Sequence, residues 1–256
     1  MKKQLILVIA AFSLLAACHR NNMADNDFKV KTFVVNDSLQ FPEEELNEWN
    51  YTDMSYYYSE VDLPVTSNEA LRDSILSWIA RQFDYEADYS NDIPTLIEND
   101  KQGFLYSDDS EPGYESRLYI NLVEDNDRYV TYALGGYMYL GGAHGMPYVD
   151  RVTFKKADGR MFSLGLFKSA DGLNELIKDA LDEQYFEYSI DEELLVDPEE
   201  MLPLPETQPW VENDTVHFIY QPYEIAPFAA GMPECVFPYS ALKDRLTAEG
   251  RSYFAQ

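Results

Sequence analysis

The most restrictive feature of this sequence is a proline-punctuated stretch over residues 220–239, YQPYEIAPFAAGMPECVFPY. Proline has no backbone N–H, so the middle of the stretch can form neither a central strand nor a long helix. Gly231 adds a position where φ can be positive. We therefore predict an ordered connection between two short strands. The prolines that impose this limit are Pro222, Pro227 and Pro233.

The predicted connection carries Tyr223, Glu224 and Phe228. A polar tip with aromatic neighbours, held by a scaffold, is a common setting for binding residues. The alternative is that the connection plugs the protein's own core, and this is the favoured interpretation for Ile225 and Phe228.

The N-terminus has the layout of a bacterial lipoprotein signal peptide over residues 1–17. Two lysines precede an apolar run that is too short for a membrane span. The run ends in Leu-Ala-Ala-Cys, which resembles a lipobox with Cys18 as the acceptor of palmitate and related acyl chains. Two or more chains hold a protein stably on a membrane, so we expect a lipid anchor without a transmembrane helix. An ordinary secretory signal with a chance cysteine is the alternative.

Polar residues 18–27 are expected to form a flexible tether. His19, instead of aspartate, follows the lipobox cysteine, which favours the outer membrane and leaves its periplasmic or outer face open. The rest divides into an N-terminal portion over 28–138 and a C-terminal domain over 139–256.

The chain is strongly acidic, with 46 Asp and Glu against 19 Lys and Arg and a formal net charge of −27. Such a charge repels nucleic acid and attracts basic proteins, although solubility alone also explains it. Beyond the lipobox only Cys235 remains, so no disulfide framework is expected. We expect Cys235 to be buried and inert.

Twenty tyrosines favour substantial β structure. Strands are predicted within 28–65, 116–140, 149–155, 215–220 and 235–239. Two amphipathic helices are predicted at 69–83 and 171–185, with an acidic loop over 84–113 and a short helix at 191–195. Gly135 and Gly136 predict a bulge. The fold class is therefore α+β, with mainly antiparallel sheets and two main amphipathic helices packed on them.

The Gly-Gly-Ala-His-Gly motif at residues 141–145 is the best candidate for chemistry. Gly141 and Gly142 allow close backbone approach, and His144 paired with a carboxylate would suit general acid–base work in an envelope glycan hydrolase or deacetylase. The favoured interpretation is that His144 bonds to backbone and fixes its loop. His217 is expected to be a satisfied sheet residue. Zinc and EF-hand motifs are absent, so neither a metal nor a cofactor is predicted.

Three motifs carry a resemblance to a known family: Y-L-G-G-A-H-G, H-F-I-Y-Q-P-Y-E-I-A-P-F-A-A-G and V-F-P-Y-S-A-L. In this order they resemble the extracytoplasmic domain of the anti-sigma factor RsiV, which the peptidoglycan deacetylase PdaC shares. The resemblance covers about residues 139–246, and residues 51–140 look like the companion domain that often precedes it.

The resemblance implies a recognition role, because this part of RsiV recognises lysozyme, a basic enzyme. Pro222, Tyr223 and Glu224 match positions of the family motif. Anti-sigma activity and the deacetylase chemistry of PdaC are not expected, since the segments that perform them have no counterpart in this sequence.

We therefore predict a lipid-anchored binding or sensing protein of the cell envelope, not an enzyme. Its expected partner is a basic protein such as lysozyme, or peptidoglycan, and not nucleic acid. The hydrolase that uses His144 and a purely structural lipoprotein are the alternatives. The predicted ligand-binding residues are Gly141, Gly142, His144, Pro222, Tyr223 and Glu224.

Overall fold

The computed structural model describes residues 27–46, 52–184 and 202–254. The expected signal peptide, Cys18, the tether up to residue 26 and the helix expected at 191–195 lie outside these ranges. Within them the chain forms two sheets and three helices of at least twelve residues. The predicted α+β class is confirmed.

The first sheet has five strands in chain order. Neighbouring strands are antiparallel except the second and third, which are parallel. A parallel pair needs a crossover connection, and two helices supply it on one side of the sheet, the inner face. The elements are β1 (Lys29–Gln40), β2 (Met54–Val65), α1 (Glu69–Ala80), α2 (Ile93–Tyr106), β3 (Glu115–Asp125), β4 (Tyr129–Tyr139) and β5 (Met146–Lys155).

Alternation along the strands makes the inner face apolar and leaves polar groups on the opposite, outer face. In β2, Tyr57 and Val61 point inward and are buried. Trp78 of α1 packs edge-on against Tyr132 and Phe154, with ring centroids 6.3 and 6.2 Å apart. This packing places the core between the two helices and the sheet.

The second sheet is a smaller antiparallel one, made of β6 (Trp210–Glu212), β7 (Thr215–Ile219) and β8 (Glu234–Pro238). It shares a second core with α3 (Leu173–Gln184). Two helical turns, Tyr239–Leu242 and Ala248–Arg251, follow β8. The residues of α3 that are fully buried are Leu173, Ile177 and Leu181.

Buried hydroxyl groups join the two sheets. Thr131 on β4 and Thr153 on β5 are fully buried. The backbone N–H of Val211 donates to Thr153 Oγ1 at 2.8 Å, and Thr131 Oγ1 donates to the Val211 carbonyl at 2.7 Å. Because β6 is an edge strand, the two hydroxyls bond where a further strand would pair.

The expected boundary between residues 138 and 139 falls within β4, and β5, beyond it, belongs to the first sheet.

The acidic segment at 84–113 contains α2, so the prediction of a loop there is wrong. Asp92 caps this helix by accepting a hydrogen bond from the Thr95 N–H at 3.2 Å, and Pro94 stands in the first turn. The apolar residues of this helix are too few to form a continuous stripe, so the periodicity of the sequence did not reveal it. Its buried residues are Ile93, Ile97 and Leu105.

The predicted bulge at Gly135 and Gly136 is also wrong, because β4 keeps its register through both glycines. The shift lies in β3, between Leu122 and Glu124. Packing explains the second glycine, since an added Cβ at Gly136 would lie 1.9 Å from the ring of Tyr148.

Candidate functional site

Residues 140–145 connect β4 to β5 and present His144. Gly141 and Gly142 have φ values of 86° and 90°, in the region that favours glycine. The Tyr139 hydroxyl donates to the Gly142 carbonyl at 2.9 Å and holds the loop against the strand. The small residues of the motif therefore set the path of the loop.

The proline-punctuated connection is ordered. Ile225 is fully buried, as expected, and fixes the middle of the connection in the second core. Tyr223 has a φ of 70°, and its N–H donates to the Ala226 carbonyl at 3.1 Å. A left-handed tyrosine costs about 1–2 kcal/mol, and strain of this kind concentrates at functional sites. The 3-10 turn Phe228–Ala230 then ends at Gly231, with φ of 74°.

The loop and the connection meet at the surface. The Tyr223 hydroxyl lies 3.4 Å from His144 Nε2, although the residues are 79 positions apart. The Phe228 ring stacks on His144, with centroids 4.0 Å apart and planes 20° apart, and lies 5.9 Å from the Tyr223 ring. Phe228 is half-buried here instead of lying in the core, where it was expected. We call His144, Tyr223 and Phe228 the aromatic cluster.

Gln221 fixes the connection to β5. Its side-chain amide donates to the Val149 carbonyl at 2.6 Å and accepts from the Val149 N–H at 3.2 Å. Gln221 thus bonds to β5 as a residue of a neighbouring strand would. The aromatic cluster is therefore held in place before any partner arrives.

The aromatic cluster opens to solvent beside apolar side chains. Tyr223 is 48% exposed. Met138 and Met146, the last pair of the β4–β5 hairpin, and Leu140 are also exposed. Exposed aromatic and methionine side chains in one region suit contact with another protein.

Glu224 stabilises the turn and does not form part of this exposed contact surface. Its carboxylate accepts hydrogen bonds from the backbone N–H groups of Gln221 and Glu206, both at 2.7 Å. It therefore braces the turn, and half-buried Pro222 lies in the same turn. Of the predicted residues, His144 and Tyr223 meet, and Glu224 is bonded to backbone.

Among the described residues, His144 bonds to no carboxylate. Its Nδ1 lies 3.1 Å from the Gly145 carbonyl, which matches a ring that fixes its own loop. The acid–base pair that the hydrolase alternative requires therefore has no support at His144.

The histidine that meets a carboxylate is His217, which sequence reasoning set aside. Its Nδ1 lies 2.8 Å from Glu234 Oε1, and its Nε2 lies 2.8 Å from Thr215 Oγ1. The Thr215 hydroxyl donates to the Glu212 carbonyl at 2.6 Å, so His217 lies in a chain of hydrogen bonds that runs from Glu234 to the Glu212 carbonyl. Trp210 stacks on the ring at 4.9 Å. The arrangement is a structural contact between β7 and β8, which we call the His217–Glu234 pair, and not a base that activates a hydroxyl.

The His217–Glu234 pair makes a pH-dependent contribution to stability. The hydrogen bond from His217 holds the pKa of Glu234 below its ordinary value. A lowered folded pKa contributes stability above the unfolded pKa, and this is lost as the pH falls through the folded pKa. We expect Glu234→Gln to be less stable than the parent at pH 7, with a smaller difference at about pH 3, below the ordinary pKa of glutamate. Urea unfolding at the two pH values measures this, and an equal difference at both would contradict it.

Within the described ranges, no group of three or more His, Cys, Asp and Glu side chains is placed to hold a metal ion. Cys235 is buried, as predicted, and burial raises the pKa of its thiol to about 12. The thiol is therefore protonated and unreactive at neutral pH. None of the helices in these ranges has the length and apolar character needed to span a membrane.

Part of the chain matches a known family. Residues 161–240 match the model of a protein family of unknown function, DUF3298. A DUF3298 family member from Bacteroides fragilis is similar in structure, with a TM-score of 0.71, 15% identity, and coverage of 88% of this chain and 96% of that one. A DUF3298 family protein from Pseudomonas aeruginosa has a TM-score of 0.56 and 17% identity, covering 90% of this chain and 99% of that one. The curated proteins contain no match.

These likenesses show a shared fold and indicate no enzyme family. The matched residues 161–240 include α3, the second sheet and the connection that bears Tyr223 and Phe228. His144 lies before them, on the first sheet's hairpin. The aromatic cluster therefore joins the matched region to the rest of the chain.

Proposed function

We propose that the mature chain is a lipid-anchored cell-envelope protein that binds a basic protein, such as a lysozyme, through the aromatic cluster. The observation that carries the proposal is the convergence of Tyr223 and His144 from distant parts of the chain on one exposed surface. A purely structural role for Tyr223 would favour a closed surface around it, whereas half of this side chain is in solvent.

The backbone at Tyr223 adds support. Asparagine or glycine would occupy a φ of 70° with little strain, yet a large aromatic residue stands there. Its ring lies against Phe228, its hydroxyl lies near His144, and it is not among the side chains of the second core, so core packing does not explain it. Exposed, rigid tyrosines are frequent anchors of protein interfaces.

The charge of the chain supports a basic partner. A formal net charge of −27 attracts a cationic protein over a distance and raises its rate of association at low salt. The aromatic cluster then supplies short-range packing that salt does not screen. Electrostatic attraction and aromatic contact thus contribute at separate stages.

The N-terminal sequence and the family resemblance support the location and the partner. A lipobox with Cys18 as acceptor would tether the domain to the membrane, most simply the outer membrane. The G-G-A-H and P-Y-E-I-A-P-F-A-A-G motifs resemble RsiV, whose domain recognises lysozyme, and both motifs contribute to the aromatic cluster.

Lysozyme binding to immobilised protein tests the proposal. We expect Tyr223→Asn to weaken binding at least about tenfold, or about 1.4 kcal/mol, because it removes the ring. Asparagine tolerates the left-handed backbone, so folding is retained. Surface plasmon resonance at about 0.15 M salt, where exposed charges are screened, measures the affinity.

The matched control is Tyr85→Asn, since Tyr85 is 89% exposed and lies between α1 and α2, not in the aromatic cluster. This variant keeps the net charge and should bind lysozyme as the parent does. Absence of binding by the parent, or equal binding by Tyr223→Asn and the parent, would exclude the proposal.

A further inference from the structure

The outer face of the first sheet carries further tyrosines, two of which, Tyr137 and Tyr139, adjoin the His144 loop. The strand register places five of them on this face: Tyr56, Tyr58, Tyr119, Tyr137 and Tyr139. Beside the first three lies a shallow cleft of about 340 Å³, which Asn36, Glu115 and Arg117 also line. This volume lies within the usual range for small-ligand sites.

Two of the rings form a fixed wall. Tyr58 and Tyr119 are 5.2 Å apart between centroids, with planes 39° apart. The Tyr58 hydroxyl donates to Glu60 Oε2 at 2.7 Å, and Asn121 donates to the other oxygen of Glu60 at 3.1 Å. Burial and this hydrogen bond raise the pKa of Tyr58 to about 12. The ring position is thus set by the fold.

Other parts of the cleft remain open. Tyr56 and Tyr119 are exposed, as is the Asn36 side chain. Gly135 lies next to Tyr119 across the strand pair, and a Cβ added there would meet nothing within 4 Å. No side chain therefore projects from Gly135 into the floor of the cleft beside Tyr119.

The charges in the cleft are matched internally. Arg117 forms an ion pair with Glu115, and both oxygens of Glu60 already accept hydrogen bonds. A charged ligand would have to compete with the Arg117–Glu115 pair, and the net charge of the whole chain opposes an anion. The complementary ligand is neutral, with flat C–H faces to pack on tyrosine rings and hydroxyl groups to bond to Asn36, Glu115 and Arg117.

We propose that this cleft binds a neutral oligosaccharide. The C–H face of a pyranose ring would pack on Tyr119 and Tyr56, and the sugar hydroxyls would bond to the amide, carboxylate and guanidinium groups at the rim. None of these residues belongs to the aromatic cluster, so the site does not depend on the protein-binding function proposed above.

Calorimetric titration of the purified protein with chitotetraose, a neutral oligosaccharide, tests this inference. We expect measurable binding that is unchanged between about 0.05 and 0.5 M salt, since the contacts are not ionic. Tyr119→Ala should weaken it at least about fivefold, because the exposed ring forms part of the binding wall. Tyr85→Ala, at an exposed tyrosine that does not line the cleft, should not change it.

Gly135→Leu provides a second variant, since a Cβ at this position would meet no atom within 4 Å, and the thermal unfolding of this variant checks that the fold is kept. It should also weaken chitotetraose binding by covering the floor beside Tyr119. Failure of the parent to bind, undiminished binding in both Tyr119→Ala and Gly135→Leu, or tighter binding of a charged tetrasaccharide at high salt would overturn the assignment.

Discussion

Replacing Gly159 with alanine is expected to destabilise the protein by about 2–4 kcal/mol. Gly159 lies in the turn after β5, with φ of 72°, where a side chain is strained. An added Cβ would also lie 2.4 Å from the backbone carbonyl oxygen of Ala70 and 2.7 Å from Ser74 Oγ. Because Ala70 belongs to α1, relief of the clash requires the helix to move off the turn.

Gly135→Ala is the matched control for this glycine substitution. The φ of Gly135 lies outside the left-handed region, and a Cβ added there would meet no atom within 4 Å. We expect its stability to equal that of the parent or to rise by up to about 1 kcal/mol, since alanine reduces the entropy of the unfolded chain. Urea unfolding measures both variants, and a Gly159→Ala value within about 0.5 kcal/mol of the parent would contradict the packing of α1 on this turn.

Thr153→Val should destabilise the protein by about 1–3 kcal/mol, although valine has nearly the same shape. The Thr153 hydroxyl accepts the hydrogen bond of the Val211 N–H at 2.8 Å, in a region with no solvent access. Its removal leaves a buried donor without an acceptor, at the contact that joins the two sheets. Thermal and urea unfolding measure the loss.

Thr131→Val separates this effect from a general loss of polarity. The Val211 carbonyl would still accept from Thr153 Oγ1, which lies 2.9 Å away, so no buried backbone group loses its only partner. We expect this variant to be more stable than Thr153→Val by at least about 1 kcal/mol. Equal losses in the two variants would show that the hydroxyl pair does not satisfy Val211 in the manner described.

Periodicity predicted the strands other than the three-residue β6, and the helices α1 and α3, because each buries a regular apolar face. It missed α2, whose stability depends on a capped start and three buried side chains more than on a continuous stripe. The glycine pair in β4 was misread for a related reason. Gly136 is small because the ring of Tyr148 lies on it, a contact between strands that the local sequence does not contain.

The sequence predicted individual residues of the candidate site but not how they come together. Motifs indicated both His144 and Tyr223, but their 3.4 Å approach depends on how the second sheet docks on β5. Sequence does not show which carboxylate is free, and Glu224 is bonded to two backbone N–H groups. Likewise, His217 meets Glu234 only through the register of β7 and β8.

A double-mutant cycle with lysozyme affinity as the readout decides whether Tyr223 and His144 act as one binding surface. We expect Tyr223→Asn and His144→Ala each to weaken lysozyme binding about tenfold, and the double variant to bind little worse than either. The resulting coupling would be at least about 1 kcal/mol. Additive losses, or unchanged affinity in both single variants, would contradict a shared surface.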